Sequence, residues 1–179
     1  NAKDSKSSAF LILGTGTGGC ICNENGVIYG KDSFAGEFHM LPFINFSNGK
    51  MDNMGDYASM TALINIYNDK VDENVKVRYG HEVCNKYFEG DNTAKETVEQ
   101  WIDNILVQLI TITVFYNPEV ICIGGGISEE EWFINRIKEK YREECIRHTE
   151  CDVITTKIDR CKYNNDANIL GAVINAIKK

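Results

Sequence analysis

The segment Leu11–Gly19, which reads LILGTGTGG, constrains the fold of this chain more than any other feature. An apolar run stops there on glycines and small hydroxyl residues, so the strand that it forms ends in backbone N–H groups that no side chain covers. Such a concavity suits an anionic oxygen, above all that of a phosphate. The segment therefore predicts a strand that leads into a phosphate-binding turn.

The chain after this turn predicts a hairpin and not a helix. Gly14, Gly16 and Gly19 satisfy the spacing G-x-G-x-x-G, but a dinucleotide-binding fold would begin a helix there to hold the pyrophosphate. Instead the chain stays extended up to a strong turn signal at Asn23–Gly26. The G-K-[ST] of a Walker loop is also absent. Two alternatives remain. In the first, the glycines hold a phosphate through their backbone N–H groups. In the second, they form a tight hairpin that binds no ligand.

A second glycine run favours the phosphate alternative, in which the hydroxyls of Thr15 and Thr17 lie near the anion. The run consists of Gly124, Gly125 and Gly126. It follows a short apolar strand, and Ser128 with Glu131 fits a capping box that starts a helix. A nucleotide could lie on this backbone and meet a favourable helix dipole. A strand–helix corner that needs glycine for close packing is the other interpretation.

Hydrophobic periodicity predicts an α/β chain in which helices flank a mixed sheet. Strands are expected at 9–13, 18–22, 27–29, 120–123 and 152–158, and helices at 57–67, at 80–88, from 93 to the proline at 118, from 128 and from 166. Residues 31–53 are expected to form a long loop with short extended pieces, and such loops often carry function. The longest helix, with Thr93 and Glu96 as its capping box, is predicted to be central and buried because its late turns are apolar nearly all round.

Composition excludes several classes of function. The net charge of −7 argues against a nucleic-acid surface, which needs clustered lysine and arginine. No apolar run is long enough to cross a bilayer, and no signal-peptide pattern is present. The seven scattered cysteines indicate a reduced, cytoplasmic chain with buried thiols. Cys20 and Cys22 share one side of a predicted strand, and packing is preferred to metal binding there because no second pair has zinc-site spacing.

A carboxylate and an imidazole stand two residues apart at Glu37 and His39, within FAGEFHM. In an extended segment both side chains would point to the same side. Together they could exchange hydrogen bonds with vicinal hydroxyl groups. By themselves, these two residues favour the plainer interpretation of a solvated glutamate and a packed histidine.

Four motifs in this order, GTGTGG with its Asn–Gly hairpin, AGEFHM, IGGGIS and NDANILGA, resemble the C-terminal lobe of the ROK family of repressors, open reading frames and kinases. The resemblance implies an actin/hexokinase-like (ribonuclease H-like) α/β fold with a mixed sheet flanked by helices. It also implies that residues 1–179 form a single nucleotide-binding lobe and that the N-terminal lobe lies outside this chain. The pattern is most similar to zinc-free members such as β-glucoside kinases and glucokinase-like proteins.

The resemblance also implies roles for individual residues. In the family's kinases the GTG turn contacts ATP phosphates, and the triple glycine lies by the adenosine. The positions that match these two cofactor motifs are Gly14, Thr15, Gly16, Thr17, Gly124, Gly125 and Gly126. The glutamate of the A-G-E motif binds sugar hydroxyls, and Glu37 matches it.

The family's zinc motif does not carry over to this chain. The usual G-E-x-G-H lacks its second glycine here, so His39 follows Phe38 directly, and no cysteine occurs between Met40 and Met54. We therefore expect no structural zinc and no metal ligands at this site. Asp56 lies next to the position of the motif's trailing glutamate and joins His39 as a candidate sugar contact.

The catalytic base of the family's kinases is an aspartate in an N-D-A-N segment of the N-terminal lobe, which would precede residue 1. No catalytic residue is therefore expected in this chain. The stretch from Asn165 to Asn168 also reads NDAN, but it stands at the last helix, where Asp166 fits an N-cap better than a base.

The resemblance implies a cytoplasmic ATP- and Mg²⁺-dependent sugar kinase, for which this lobe supplies the nucleotide site and one wall of the sugar site. The expected partner is the sugar substrate, with neither nucleic acid nor membrane contacted by this lobe, and a homodimer is left open. The alternative is the sugar-sensing effector domain of a ROK-type transcriptional repressor. A third hypothesis is that the protein is a non-catalytic relative that uses this lobe for dimerisation.

Overall fold

The computed structural model describes residues 2–45, 47, 49–163 and 166–177. Within these ranges the strands are β1 (Ser7–Leu13), β2 (Thr17–Asn23), β3 (Gly26–Ile28), β4 (Pro42–Asn45), β5 (Lys50–Asn53), β6 (Val120–Gly124) and β7 (Lys157–Arg160). The helices are α1 (Gly55–Ala58), α2 (Met60–Asn68), α3 (Gly80–Glu89), α4 (Asn92–Tyr116), α5 (Glu131–Thr149) and α6 (Ala167–Ile177). Short 3₁₀ helices cover Ala2–Asp4, Phe38–Met40, Glu73–Val75 and Gly126–Glu129. None of the described helices is long and apolar enough to span a membrane.

The main sheet is mixed, as the sequence predicts, with the strand order β3-β2-β1-β6-β7. The first three strands in the chain pair antiparallel, whereas β1 and β6, and likewise β6 and β7, pair parallel. Because β1 and β6 are parallel neighbours, their carboxyl ends lie at the same edge of the sheet. The predicted long loop contains the antiparallel pair β4–β5, which forms a second small sheet.

The core lies between the main sheet and the helices α2 to α5. Alternate residues of β1, namely Ala9, Leu11 and Leu13, are fully buried in the same hydrophobic cluster as Trp101 of α4. Trp101 stacks on Phe133 of α5 with ring centroids 5.3 Å apart. Helix α4 is thus central, as predicted.

The late turns of α4 are buried on one side only. Val114 is 72% exposed and Phe115 is 86% exposed. The apolar pattern of this stretch therefore overstates its burial, because the pattern records which residues are apolar and not whether another element packs on them.

Several predicted boundaries are wrong for local reasons. The helix predicted over 57–67 is two helices, because Ser59 is extended (φ −79°, ψ 171°) and its hydroxyl caps α2 by accepting from the Ala62 amide. Helix α4 begins at Asn92 because the Asp91 carboxylate accepts from the Ala94 amide at 2.7 Å, so the Thr93–Glu96 capping box does not form.

The end of the chain also differs from the prediction. The strand predicted over 152–158 is β7 (Lys157–Arg160), which reaches further along the chain. Helix α6 lies where the last helix is predicted. Asn165 of the NDAN stretch lies outside the described residues, and the N-cap role of Asp166 stays a prediction.

Candidate nucleotide and sugar site

The two glycine turns meet at one edge of the main sheet. Ile12 of β1 is paired with Gly124 of β6, so the residues after each strand leave the sheet side by side. A Cβ atom on Gly125 would lie 2.8 Å from the Leu13 carbonyl carbon, which shows how closely the second turn packs on the end of β1. The crevice outside the carboxyl ends of parallel strands is the usual place for a ligand in an open α/β sheet.

The first turn is open and presents free donors. Thr15 and Gly16 are exposed. The turn is held by two hydrogen bonds, from the Gly14 amide to the Gly16 carbonyl and from the Met60 amide to the Gly14 carbonyl, both 2.9 Å long. In the part of the chain that the structure describes, the Thr15 and Gly16 amides donate to no acceptor. Two adjacent unpaired N–H groups in an exposed turn can hold a phosphate oxygen.

Thr17 differs from the other residues of this turn. It is only 7% exposed, and its Oγ1 lies 3.4 Å from Nε2 of Gln108 in α4. Its hydroxyl is therefore bonded within the protein, while its direct contact with phosphate stays a prediction.

The second turn divides into a packed part and an open part. Gly124 and Gly125 are buried, and a Cβ atom on Gly124 would lie 2.6 Å from Cδ1 of Ile12. Close packing therefore accounts for glycine at these two positions. Gly126 is exposed, and a Cβ atom there would meet nothing within 4 Å. Within this turn, Gly126 is the residue that a ligand can approach.

No α-helix begins directly after the glycines, so the predicted Ser128–Glu131 capping box is wrong. Residues Gly126–Glu129 form a 3₁₀ helix, and the Ser128 hydroxyl donates to the Gly125 carbonyl at 2.7 Å instead of capping a helix. Helix α5 begins only at Glu131. Because the effect of the helix dipole fades beyond the first turn, this helix end adds little field at the glycines.

Of the three candidate sugar residues, His39 lies beside the first turn and Asp56 lies beside His39. His39 belongs to the 3₁₀ helix Phe38–Met40, and its Nδ1 lies 3.9 Å from the position of a Cβ atom on Gly16. Its Nε2 lies 3.8 Å from Oδ1 of Asp56 in α1. Glu37 is exposed and directly precedes the same 3₁₀ helix. The extended arrangement considered for Glu37 and His39 is therefore wrong, because the backbone turns between them.

Polar side chains of α4 hold this region in place. The Trp101 indole N–H donates to the Ala58 and Ser59 carbonyls, at 3.1 and 2.9 Å. The Asn104 amide donates to the Tyr57 carbonyl at 3.0 Å. The Gln108 amide donates to the Phe38 carbonyl at 3.1 Å. Spacings of three and four place these residues along one side of the helix.

Sequence reasoning missed this row of donors because it interpreted α4 only as a core helix. The available signal was the pair of amide side chains, Asn104 and Gln108, placed four residues apart within an otherwise apolar run. A polar side chain that is buried or partly buried in such a run needs a hydrogen-bond partner. Here the partners are the Tyr57 carbonyl of α1 and the Phe38 carbonyl of the 3₁₀ helix.

The hairpin β4–β5 is fastened to α1 by a polar triad. The Tyr57 hydroxyl donates to Oδ2 of Asp52 at 2.5 Å, and Nδ2 of Asn45 lies 3.2 Å from the same oxygen. The hydrogen bond from Tyr57 lowers the pKa of Asp52 below its usual value. Among the described residues, no three His, Cys, Asp or Glu side chains are arranged to hold a metal ion.

Comparison with known proteins gives a consistent family. The model of the ROK family matches residues 1–179. A protein of Clostridium perfringens, described as uncharacterized, is 34% identical over 97% of this chain and 56% of its own length. The N-acetyl-D-glucosamine kinase of Vibrio atlanticus is 27% identical over 98% of this chain and 61% of its own length. The chain thus spans less than two thirds of the length of these relatives.

Solved structures show the same fold. A ROK family protein from Streptococcus pneumoniae in complex with sucrose superposes with a TM-score of 0.85 at 24% identity, covering 98% of this chain and 59% of that one. A ROK family glucokinase from Streptomyces griseus, in complex with glucose and AMPPNP, gives 0.81 at 19% identity, covering 100% and 63%. A ROK family transcriptional regulator, a homologue of the Escherichia coli Mlc protein, gives 0.63 at 20% identity, covering 89% and 42%.

These likenesses confirm the predicted α/β fold, the hexokinase-like fold with a mixed sheet and packed helices. The family match covers the whole of this chain, including both glycine turns and the segment with Glu37 and His39. The chain belongs to the ROK family.

Proposed function

We propose that the natural protein carrying this chain is an ATP-dependent sugar kinase, and that this chain is its C-terminal, nucleotide-binding lobe. The observation that supports this most strongly is the junction of the two glycine turns at one sheet edge, with unpaired Thr15 and Gly16 amides beside His39. An N-terminal lobe would complete the cleft and supply the base, and the chain covers 56% and 61% of two relatives that are longer.

The residues present fit a nucleoside triphosphate. The Thr15 and Gly16 amides would hold phosphate oxygens, and the open backbone at Gly126 would face the nucleoside. Mg²⁺ bound to the phosphates would neutralise part of the charge that develops during transfer. The role of this chain is positioning, since phosphoryl transfer depends mainly on alignment and electrostatic stabilisation.

The sugar would bind at Glu37, His39 and Asp56, of which His39 lies beside the phosphate turn. Carboxylates accept hydrogen bonds from hydroxyl groups, and the imidazole can donate or accept one. The relatives bear the names N-acetyl-D-glucosamine kinase and glucokinase, which supports a hexose or an N-acetylhexosamine as the substrate class. The cytoplasm as location and a homodimer remain predictions.

The effector domain of a repressor remains the second candidate, because a ROK transcriptional regulator shares the fold. Such a protein would keep sugar binding and lose ATP binding. The open Thr15–Gly16 turn favours the kinase, since sugar binding has no need of it.

The decisive experiment compares the natural protein with its Gly16→Val and Gly18→Val variants. Gly18 lies in β2, two residues from the turn, and a Cβ atom there meets nothing within 4 Å, so Gly18→Val is a matched control. Calorimetry would measure AMPPNP binding, and a coupled assay would measure ADP release with D-glucose, N-acetyl-D-glucosamine and N-acetyl-D-mannosamine.

We expect ADP release that depends on one of these sugars, and AMPPNP affinity at least about tenfold lower in Gly16→Val, a loss of ~1.4 kcal/mol. The Gly18→Val variant should bind AMPPNP as the natural protein does. Sugar binding without AMPPNP binding would favour the repressor. Equal AMPPNP affinity in Gly16→Val and the natural protein would rule out the turn as the phosphate site.

A further inference from the structure

One buried side chain connects the two halves of the candidate site. Gln108 of α4 is fully buried, and its Nε2 donates to the Phe38 carbonyl at 3.1 Å and lies 3.4 Å from Oγ1 of Thr17. Phe38 stands between Glu37 and His39, and Thr17 directly follows Gly16. A single amide group therefore contacts both the candidate sugar segment and the candidate phosphate turn.

The same two segments also pack tightly against each other. A Cβ atom on Gly19 of β2 would lie 2.7 Å from Cε2 of Phe38, and one on Gly36 would lie 2.6 Å from Cα of Cys20. Because neither contact leaves room for a side chain, a shift of the sugar segment must be accompanied by a shift of β2. Gln108 adds a polar bond at the point where β2 enters the phosphate turn.

The amide of Gln108 is held in one orientation. Its Nε2 points to the Phe38 carbonyl, and the reversed amide would set two acceptor oxygens against each other. As a result Oε1 is buried without a hydrogen-bond partner among the described residues. A buried unpaired acceptor is costly, so a glutamine here calls for a compensating role that an apolar side chain of similar size would not serve.

We propose that Gln108 is a positioning residue that couples sugar binding at Glu37 and His39 to nucleotide binding at the Gly14–Gly16 turn. This inference rests on the proposed kinase function. Sugar contact would fix the 3₁₀ helix Phe38–Met40, the Phe38 carbonyl would hold the amide, and the amide would hold Thr17 and with it the turn. Coupling of this kind is reciprocal, so bound nucleotide must raise sugar affinity by the same factor.

The test uses the natural protein with the substitution Gln108→Met, which keeps the length of the side chain and removes both the donor and the unpaired acceptor. Thr97→Val is the matched control. Thr97 lies in the same helix and is fully buried, and its hydroxyl has no partner among the described residues. Calorimetry would measure AMPPNP affinity with and without the sugar that gives the fastest turnover.

We expect the natural protein and Thr97→Val to bind AMPPNP at least about fivefold more tightly when the sugar is present. In Gln108→Met this factor should fall to about one, while each ligand by itself binds within about threefold of the natural affinity. A general loss of stability would instead weaken both ligands equally and leave the factor unchanged.

Hydrogen exchange gives a second readout that does not depend on activity. In Gln108→Met the amides of residues 36–41 and of the start of β2 should exchange at least about fivefold faster, while those of β6 stay unchanged. Unchanged coupling, or faster exchange spread over the whole chain, would overturn the role of Gln108 and leave the kinase proposal standing. Failure of the natural protein to bind AMPPNP would overturn both.

Discussion

The substitution Gly125→Ala tests the junction of the two turns on which the candidate site depends. Gly125 has φ +92° and ψ 167°, a backbone conformation that is essentially reserved for glycine. A Cβ atom there would lie 2.8 Å from the carbonyl carbon and 3.2 Å from the nitrogen of Leu13, which are backbone atoms of β1 that cannot rotate away.

The expected loss of stability follows from these two effects. An alanine in this conformation costs about 1–3 kcal/mol. The forced separation of the turn from β1 adds about 1–3 kcal/mol, as overpacking does elsewhere. The sum, about 2–6 kcal/mol, is a large part of the stability of a typical domain, about 5–15 kcal/mol. For a chain of this size, the midpoint of thermal unfolding should fall by roughly 5–20 °C.

The matched control is Gly126→Ala, one residue further along. Its Cβ atom would meet nothing within 4 Å, so the change in stability should stay within about 0.5 kcal/mol. Circular dichroism during thermal and urea unfolding would measure both variants. Equal unfolding midpoints for Gly125→Ala and Gly126→Ala would refute the close packing of the second turn on the end of β1, and with it the geometry of the site.

Three further changes have defined outcomes. Replacing Glu99 by Gln should cost about 1 kcal/mol at pH 7, because hydrogen bonds from Arg136 hold the pKa of this partly exposed carboxylate below its usual 4.5. In urea unfolding, the difference in free energy of unfolding between the natural protein and Glu99→Gln should be full above pH 4.5 and vanish as the pH falls through the lowered folded-state pKa. A difference that stays constant down to about pH 2 would contradict this prediction. Gly55→Ala would place a Cβ atom 2.6 Å from Cγ of His39 and displace the imidazole. Calorimetry should then show sugar affinity at least about fivefold lower, with AMPPNP affinity nearly unchanged. An unchanged sugar affinity would show that His39 does not belong to the sugar site. Trp101→Phe removes the donor to the carbonyls at the α1–α2 junction and should cost about 2–3 kcal/mol in urea unfolding, whereas a loss below 0.5 kcal/mol would show that those bonds add little.

The parts of the fold that the sequence predicts correctly depend on local patterns. The β1–β2–β3 hairpins follow from the apolar run of β1, the glycine turn after it and the turn signal at Asn23–Gly26. The Asn25 amide does donate to Oδ1 of Asn23 at 2.9 Å. The long helix α4 follows from its 3.6-residue period. Both signals arise among residues close together in the chain, so composition and spacing suffice to detect them.

The predicted boundaries fail where neighbouring residues compete for one role. Asp91 and Thr93 could both cap α4, and Asp91 does so after Gly90 turns the chain with φ +92°. Ser128 could cap a helix, but the folded chain uses its hydroxyl for the Gly125 carbonyl. In each case the path of the chain into the helix decides which residue becomes the cap. The spacing of residues in the sequence does not specify that path.

The sequence by itself determined the α/β class, the two glycine turns, the Glu37–His39 segment and the family resemblance. Each of these features depends on residues that are close together in the chain. Only the tertiary structure decided that the second turn packs on the end of β1, that Gly126 is open while Gly124 and Gly125 are packed, and that Gln108 joins Phe38 to Thr17. Those bonds of Gln108 span 70 and 91 residues of chain. Contacts at such separations arise only when the parallel pairing of β1 with β6 and the packing of α4 bring distant segments together, and no periodicity of the sequence encodes them.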